Sequence, residues 1–492
     1  MTPDQAGFLL APFRGVRYAA DRVTGLAEVT SPPYDVIALD KEDQLMALDP
    51  HNVVRLILPG HLAAQRGTEY QHAATALREW LDQGILVPDP VPALYVYEQV
   101  PCDLDGAPAA GAPVQRGLIG ALRLSPLEAG IVLPHEDIAP GPVADRRMLM
   151  EATRANLEPI FLLYDGLAVP AAAAPPGAAG SPGTARSPGT ARSPAAPAAA
   201  GPAEGPAGAG PPGWTAPADS AGAAARIIAD VALLPPLVQV LIPGGLRHRL
   251  WAITDPDLQD AITTDLAQRR ALIADGHHRY AAYLDLQARR HKAGDGAGPW
   301  DFGLALVVDA AAYPPWIAAI HRVMPEPGPA EAARLAAAAF RVRRVPGGSA
   351  GLAAALDQLA AASATGPAFL LAGGEAAYLL TDPDPAQVAA AMPGDRSSRW
   401  RALPAAILQE LLMHKLWGIR DEQDSVQVVH HDAAAALRAA DELPGGTAII
   451  CCPMSSSEVY TLAAEGERVP RKSTSFRPKP RTGLVMRLFA DS

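Results

Sequence analysis

Apolar and polar positions along the chain fall into short strand-like runs and longer helical stretches, on either side of one tract that carries neither pattern. Before the tract, residues 52–58 (Asn-Val-Val-Arg-Leu-Ile-Leu) and 93–99 (Ala-Leu-Tyr-Val-Tyr-Glu-Gln) are β-branched or aromatic runs bounded by proline, as strands are. Between them, residues 70–83 place Ala73, Ala74, Leu77, Trp80 and Leu81 at helical spacing. Residues 115–123 read as a strand interrupted by glycines, 145–157 as a helix and 159–164 as a buried strand. After the tract, the pattern predicts helices over 224–230 and 257–269 and a strand over 249–254. A short strand, 271–274, runs straight into a helix over 280–291, and 301–308 is a further strand. The last third alternates Ala-rich helices (330–339, 351–361, 405–416) with apolar strands (367–372, 447–452). Ser455-Ser-Ser-Glu458 is a capping box ahead of a helix over 459–464. The expected fold class is α/β (mixed α+β), with antiparallel-leaning sheets flanked by Ala-rich helices.

The tract itself spans 170–213, where 36 of 44 residues are Ala, Pro or Gly and the hexapeptide SPGTAR occurs twice in tandem. Such a segment offers too little large apolar surface to offset the entropy of ordering it, so it reads as a disordered insert. The expected organisation is an N-terminal mixed domain (1–165), a disordered Ala/Pro/Gly-rich insert (166–222) and a C-terminal α/β domain (223–492). The tract holds 11 of the 50 prolines and 9 of the 43 glycines, so the rest of the 492 residues is less unusual than the totals suggest.

Charge and cysteine usage exclude several classes. With 41 Lys+Arg against 52 Asp+Glu the net charge is −11, which argues against a general nucleic-acid binder, since neutralising phosphates needs a basic surface. Three cysteines, Cys102, Cys451 and Cys452, make neither a disulfide framework nor a CxxC zinc site. No charged segment followed by an apolar run opens the sequence, and no apolar stretch is long enough to span a bilayer, so the expectation is a cytoplasmic protein.

Three clusters carry candidate chemistry. The first is Ala271-Leu-Ile-Ala-Asp-Gly-His-His-Arg-Tyr280. The strand ends at Asp275, Gly276 permits a tight turn, and the first amides of the following helix have no intrahelical partner and carry the positive end of its dipole. With His277, His278 and Arg279 beside it, the turn suits a phosphate or carboxylate. Asp275 can cap the helix or hold a histidine tautomer. The second cluster is Pro134-His-Glu-Asp137 with Asp145-Arg-Arg147, residues that serve acid/base chemistry or a divalent ion, and serve equally as solvated turns. The third lies in the tail, where five of the eleven residues 471–481 are basic and Ser473 and Thr474 add hydroxyls. Two of the five lysines, Lys472 and Lys479, fall here. The apolar run 483–489 after it predicts an ordered strand rather than a solvated tail.

Seven ordered motifs are similar to those of the Domain of Unknown Function 1015 family. In the first half these are Pro12-Phe-Arg-Gly15, Ser31-Pro-Pro-Tyr-Asp-Val36, Asn52-Val-Val-Arg-Leu56, Tyr95-Val-Tyr-Glu98 and Pro134-His-Glu136. In the second half they are Ala274-Asp-Gly-His-His-Arg-Tyr280 and Arg471-Lys-Ser-Thr474 continuing to Lys479-Pro-Arg-Thr-Gly483. Ser475 stands where the family usually has an aromatic. The family's name implies no activity. More distantly, the Asp-Gly-His-His-Arg turn resembles that of ParB-like and sulfiredoxin-like folds, in which it handles nucleotide phosphates, and some proteins of that group are free-serine kinases. The resemblance implies a phosphotransferase moving phosphoryl from ATP or ADP, with magnesium, to the hydroxyl of a small molecule such as serine. Asp275, His277, His278 and Glu98 would then be catalytic, and Gly276, Arg279, Arg471, Lys472, Ser473 and Thr474 would bind the nucleotide, with Glu136 on the metal. The alternatives are a ParB-like nucleotide-binding module without turnover and a phosphatase acting on a phosphorylated small molecule. Neither membrane nor nucleic acid is an expected partner.

Overall fold

A computed structural model describes residues 7–37, 39–62, 68–103, 109, 114–164, 222–242, 245–419 and 426–491. The insert expected over 166–222 lies outside these residues, except for Gly222.

The fold is mixed α/β, as expected. Among the described residues its largest sheet has nine strands. From one edge to the other run Val132–Leu133, Ala271–Asp275, Ile160–Tyr164, Phe302–Asp309, Gln115–Arg123, Leu94–Pro101, Leu246–Ile253 and Val238–Ile242, with Leu10–Ala11 added beside Gln115–Arg123. Pairing is antiparallel except at Val132–Leu133 with Ala271–Asp275 and at Ile160–Tyr164 with Phe302–Asp309. Strands from both sides of the insert therefore share this sheet, and the boundary at 166–222 runs through it rather than between two sheets.

Side chains alternate across the sheet, as strand geometry requires. One face buries Tyr95, Tyr97, Ile119, Phe161 and Leu306. The other buries Leu94, Leu118, Leu162 and Val307 under the helices Ala223–Val231, Pro256–Leu266 and His277–Ala293, which contribute Ile228, Ile262, Leu266, Tyr280 and Leu286. A six-stranded sheet in the C-terminal third is ordered Arg341–Val345, Ala376–Thr381, Phe369–Gly373, Thr447–Ile450, Ile320–Met324 and Gln427–His430. A four-stranded sheet combines Leu86–Pro88, Gly15–Tyr18, Met486–Leu488 and Ala155–Asn156. The tail strand Ser475–Arg477 pairs with Trp316–Ala318.

Several expectations hold within a residue or two. Helix Glu69–Asp82 buries Ala73, Leu77 and Trp80, and the capping box forms with the Glu458 amide donating to Ser455 Oγ at 3.2 Å. The run 52–58 is not a strand but a helical turn, Val54–Ile57. Asn52 is fully buried there. Its Oδ1 accepts from the Val54 amide at 2.9 Å and its Nδ2 donates to the Glu28 carbonyl at 2.6 Å, an arrangement that starts a turn and overrides the β-branched preference. The stretch expected as a helix over 405–416 is a three-residue α-turn, Pro404–Ala406, followed by a π-helix, Ile407–Leu416. The expected helix 145–157 is shifted to Pro140–Thr153 and ends at Arg154 in a left-handed conformation.

Candidate functional site

The turn at Gly276 follows from its sequence. All five residues of Ala271–Asp275 are buried between two neighbouring strands, and Gly276 reverses the chain at φ +93°. A Cβ there would lie 2.9 Å from Ile160 Cγ2, so the site needs glycine for both conformation and space. Helix His277–Ala293 starts immediately beyond.

Sheet pairing carries the second cluster to this turn. Val132–Leu133 lies parallel to Ala271–Leu272, so the chain leaves that strand with His135 and Glu136 beside Gly276. The two motif histidines clamp this segment: His277 Nε2 accepts from the His135 amide at 3.3 Å, and His278 Nε2 accepts from the Ala139 amide at 3.0 Å. His135 also meets His277 ring to ring, edge-on at 4.5 Å. Burial pushes the pKa of His277 well below its ordinary value and also lowers that of His278, to which the charges of Lys472 and Arg471 add. Neutral rings that accept amides at Nε2 carry their proton at Nδ1, so neither donates from Nε2.

The tail closes the site. Thr474 donates to Glu136 Oε1 at 2.9 Å and accepts from His135 Nε2 at 2.8 Å. Lys479 reaches Asp275 Oδ1 at 2.5 Å and Asp35 Oδ2 at 3.1 Å. Asp275 Oδ2 accepts from Arg279 at 2.6 Å, and Arg279 also donates to the Pro159 carbonyl at 2.7 Å. Burial raises the Asp35 pKa, but the Lys479 ammonium and Arg279 guanidinium outweigh it and hold the carboxyl down to about 2. Asp35 is brought in by Tyr34, whose amide donates to buried Glu158 at 3.0 Å and whose ring lies 4.1 Å under the Arg146 guanidinium. Buried Arg322 donates to the carbonyls of Lys472 at 3.0 Å and Arg471 at 3.1 Å, fixing the turn in which Lys472 takes φ +57°.

Around Gly276 these residues enclose a cavity of about 60 Å³. A single water needs roughly 10–15 Å³ on this measure, so the space takes a phosphoryl-sized group and not a nucleotide. Of the residues nominated from sequence, Asp275, Gly276, His277, His278 and Arg279 line it, with Glu136, Lys472 and Thr474 opposite. Arg471 lines an adjoining cavity of about 660 Å³, and Ser473, whose hydroxyl donates to the Pro470 carbonyl at 2.5 Å, lines a third of about 360 Å³. Lys472 borders all three.

Glu98 does not join them. Strand register sets Arg249 and Arg116 directly opposite it on its two neighbours, and both guanidiniums bind its buried carboxylate. A carboxylate held from both sides, away from the cavity, is not placed to take a proton from a substrate. The same strand serves the site through its other face, where Tyr97 Oη accepts from the Arg481 amide at 3.1 Å and Gln99 donates to the Lys479 carbonyl at 2.9 Å. Magnesium on Glu136 would take its remaining ligands from nucleotide phosphates and water, as magnesium does beside a nucleotide. Among the described residues no group of three or more His, Cys, Asp or Glu side chains could hold a metal ion, and the carboxylates here are engaged by Thr474, Lys479 and Arg279. Tyr34, Asp35, His430 and Lys479 are not among the site residues nominated from sequence, yet all four line the cavity. The signal was present for Lys479, one of the chain's five lysines, and for Asp35, inside a motif already noted.

No helix among the described residues is long and apolar enough to cross a membrane. A search of curated proteins finds no match. Solved structures with some similarity include a free serine kinase in complex with AMP, at 12% identity and a TM-score of 0.31 over 70% of this chain and 83% of that one. SbnI from Staphylococcus aureus, truncated at its C-terminus, gives 11% identity and 0.31 over 76% and 86%. A conserved hypothetical protein from Pyrococcus furiosus gives 13% identity and 0.29 over 71% and 88%. Similarity of this size transfers neither ligand nor activity. Residues 10–174 and 212–406, which carry every strand of the nine-stranded sheet and the Gly276 turn but not the basic tail, match the family described as protein of unknown function (DUF1015), and the chain belongs to that family.

Proposed function

We propose that the protein is a phosphotransferase that moves phosphoryl from a nucleotide to the hydroxyl of a small molecule, with transfer at the Gly276 turn. The observation that carries this reading is the meeting of three clusters, distant in sequence, around one phosphoryl-sized cavity walled by both cations and carboxylates. Phosphoryl transfer asks mainly for alignment and charge neutralisation, and little covalent chemistry of the protein. Lys472, on the fixed turn between the cavities, neutralises the travelling phosphoryl group. Asp275, held by Arg279, fixes Lys479, and Lys479 in turn supplies the second positive charge. Glu136 is the group placed to accept the hydroxyl proton once a substrate displaces the Thr474 hydroxyl from its Oε1. His277 and His278 hold the Glu136 segment in register.

The test is direct. Purified protein is incubated with ATP or ADP and a panel of hydroxy amino acids, free serine first, and products are followed by ³¹P NMR. A new phosphomonoester resonance that disappears in Glu136→Gln supports the reading; no product with any acceptor ends it. One observation favours a second reading, a nucleotide-binding module without turnover: Asp35, Asp275 and Glu136 are all engaged by protein partners. Nucleotide binding with no product for any acceptor would select it.

A further inference from the structure

The 60 Å³ cavity cannot hold a nucleotide, and the proposed reaction needs one. The adjoining cavity of about 660 Å³ falls in the range typical of small-molecule sites. Its cationic side chains are Arg322, Arg396, Arg468, Arg471 and Lys472, against two carboxylates, Asp137 and Glu410. Of these acids, Asp137 accepts from Arg468 at 2.8 Å, and Glu410 accepts from Gln409 at 2.9 Å and lies 3.1 Å from His414. In a chain of net charge −11, this is a local excess of positive charge built into a concave surface.

The charge is also unevenly placed. Arg471 and Lys472 stand on the turn fixed by Arg322, at the end shared with the transfer cavity, and among the described residues neither has a carboxylate in ion-pair reach. Elsewhere the wall holds Trp400 with the Arg396 guanidinium 5.2 Å from its ring centroid, together with Pro393, Val426 and Val428. Gln409 and Glu410 face the cavity from the π-helix Ile407–Leu416, and π-turns are frequent at functional sites. Arg471 and Lys472 at one end, and the Arg396 guanidinium over the buried Trp400 ring with Val426, Val428, Gln409 and Glu410 elsewhere, suit a ligand with a polyphosphate at one end and a ring system at the other.

We infer that this cavity seats the nucleoside diphosphate or triphosphate, with its phosphates on Arg471 and Lys472 and its nucleoside against the Trp400 wall. Lys472 borders both cavities, so the terminal phosphate lies at the entrance to the transfer site. This placement rests on the phosphotransferase reading but can fail independently of it. The test is calorimetric titration of the 492-residue chain with ADP, for the native chain, Arg396→Glu, Lys472→Glu and Arg343→Glu, each checked by thermal melting. Reversing a charge that meets the ligand should weaken ADP binding by about tenfold or more in the first two variants. Arg343→Glu, an exposed charge reversal on the edge strand Arg341–Val345, should bind ADP as the native chain does. Lys472 is exposed, so its variant should fold even if Arg396→Glu does not. Native-like ADP affinity in Lys472→Glu, or in a folded Arg396→Glu, overturns the placement while leaving a nucleotide-dependent enzyme intact. Absence of ADP binding by the native chain overturns the placement and the phosphotransferase reading together.

Discussion

Replacing Lys479 with methionine keeps most of the side chain's length and removes its charge from between two carboxylates. The ammonium lies 2.5 Å from Asp275 and 3.1 Å from Asp35, and the Lys479 and Asp275 side chains are 11% and 8% exposed. At an effective dielectric of about 20, the attraction across such a contact is roughly 5–7 kcal/mol before desolvation. Breaking a buried pair from one side usually costs about 3–5 kcal/mol, because the partner is left charged and unmatched. Two features lower the figure here. Arg279 stays on Asp275 at 2.6 Å, and Asp35, with 32% of its side chain exposed, can return to water. The expected loss is about 2–3 kcal/mol. Urea unfolding followed by tryptophan fluorescence should register it as an earlier transition of the part containing the main sheet, since a chain of this length can unfold in steps. A cycle with Asp275→Asn should give a coupling of about 1–3 kcal/mol.

Acid adds an independent check on the same lysine. A folded-state pKa lowered from 3.8 to about 2 means that Asp35 contributes stability above its unfolded value, lost as pH falls through that window. Lys479→Met should flatten the dependence between about pH 4 and 2. A destabilisation under about 0.5 kcal/mol with no coupling to Asp275 would refute the account of the ion pair as the tie between tail and turn.

Gly276→Ala combines a positive φ with a Cβ 2.9 Å from Ile160 and should cost about 1–3 kcal/mol, read as a lower melting temperature; an unchanged melt would contradict the turn's geometry. His278→Ala removes the acceptor for the Ala139 amide, so hydrogen exchange at that amide should accelerate by about tenfold, and unchanged protection would rule out the clamp. Burial lowers the pKa of both His135 and His277, so their contribution to stability is complete above the ordinary value of 6.5 and is lost as pH falls below it. Thermal melts from pH 7.5 to 5 should show this loss, and the double variant His135→Gln/His277→Gln should show a shallower slope; an identical slope would deny that these rings must stay neutral.

What could be read from the sequence was local. The strand ending at Asp275, the glycine and the helix after it are a buried run, a breaker and a helix start within a few residues, and they fold as their composition dictates. The convergence was not legible, because it depends on pairings between remote strands: 132–133 with 271–272, and 475–477 with 316–318. Lys479 and Asp35 lie 444 positions apart, and no spacing rule reaches that far. Glu98 shows the opposite error. An acidic residue in an apolar strand looks like a free base until register sets an arginine on each side of it. At 52–58, the sequence pattern weighed the β-branched side chains, whereas the buried Asn52 amide determined the backbone.

The four-stranded sheet has a consequence for how the protein is made. Its strand Met486–Leu488 pairs with Gly15–Tyr18 on one side and Ala155–Asn156 on the other. The pairing of Gly15–Tyr18 with Leu86–Pro88 is local, but joining it to Ala155–Asn156 waits for a strand 470 positions beyond Val16. Until then Val16 and Ala155, fully buried in the finished protein, lack the Met486 side chain that packs with them. The four-stranded sheet is thus closed by a contact of very high sequence separation, the kind that forms late and slows folding.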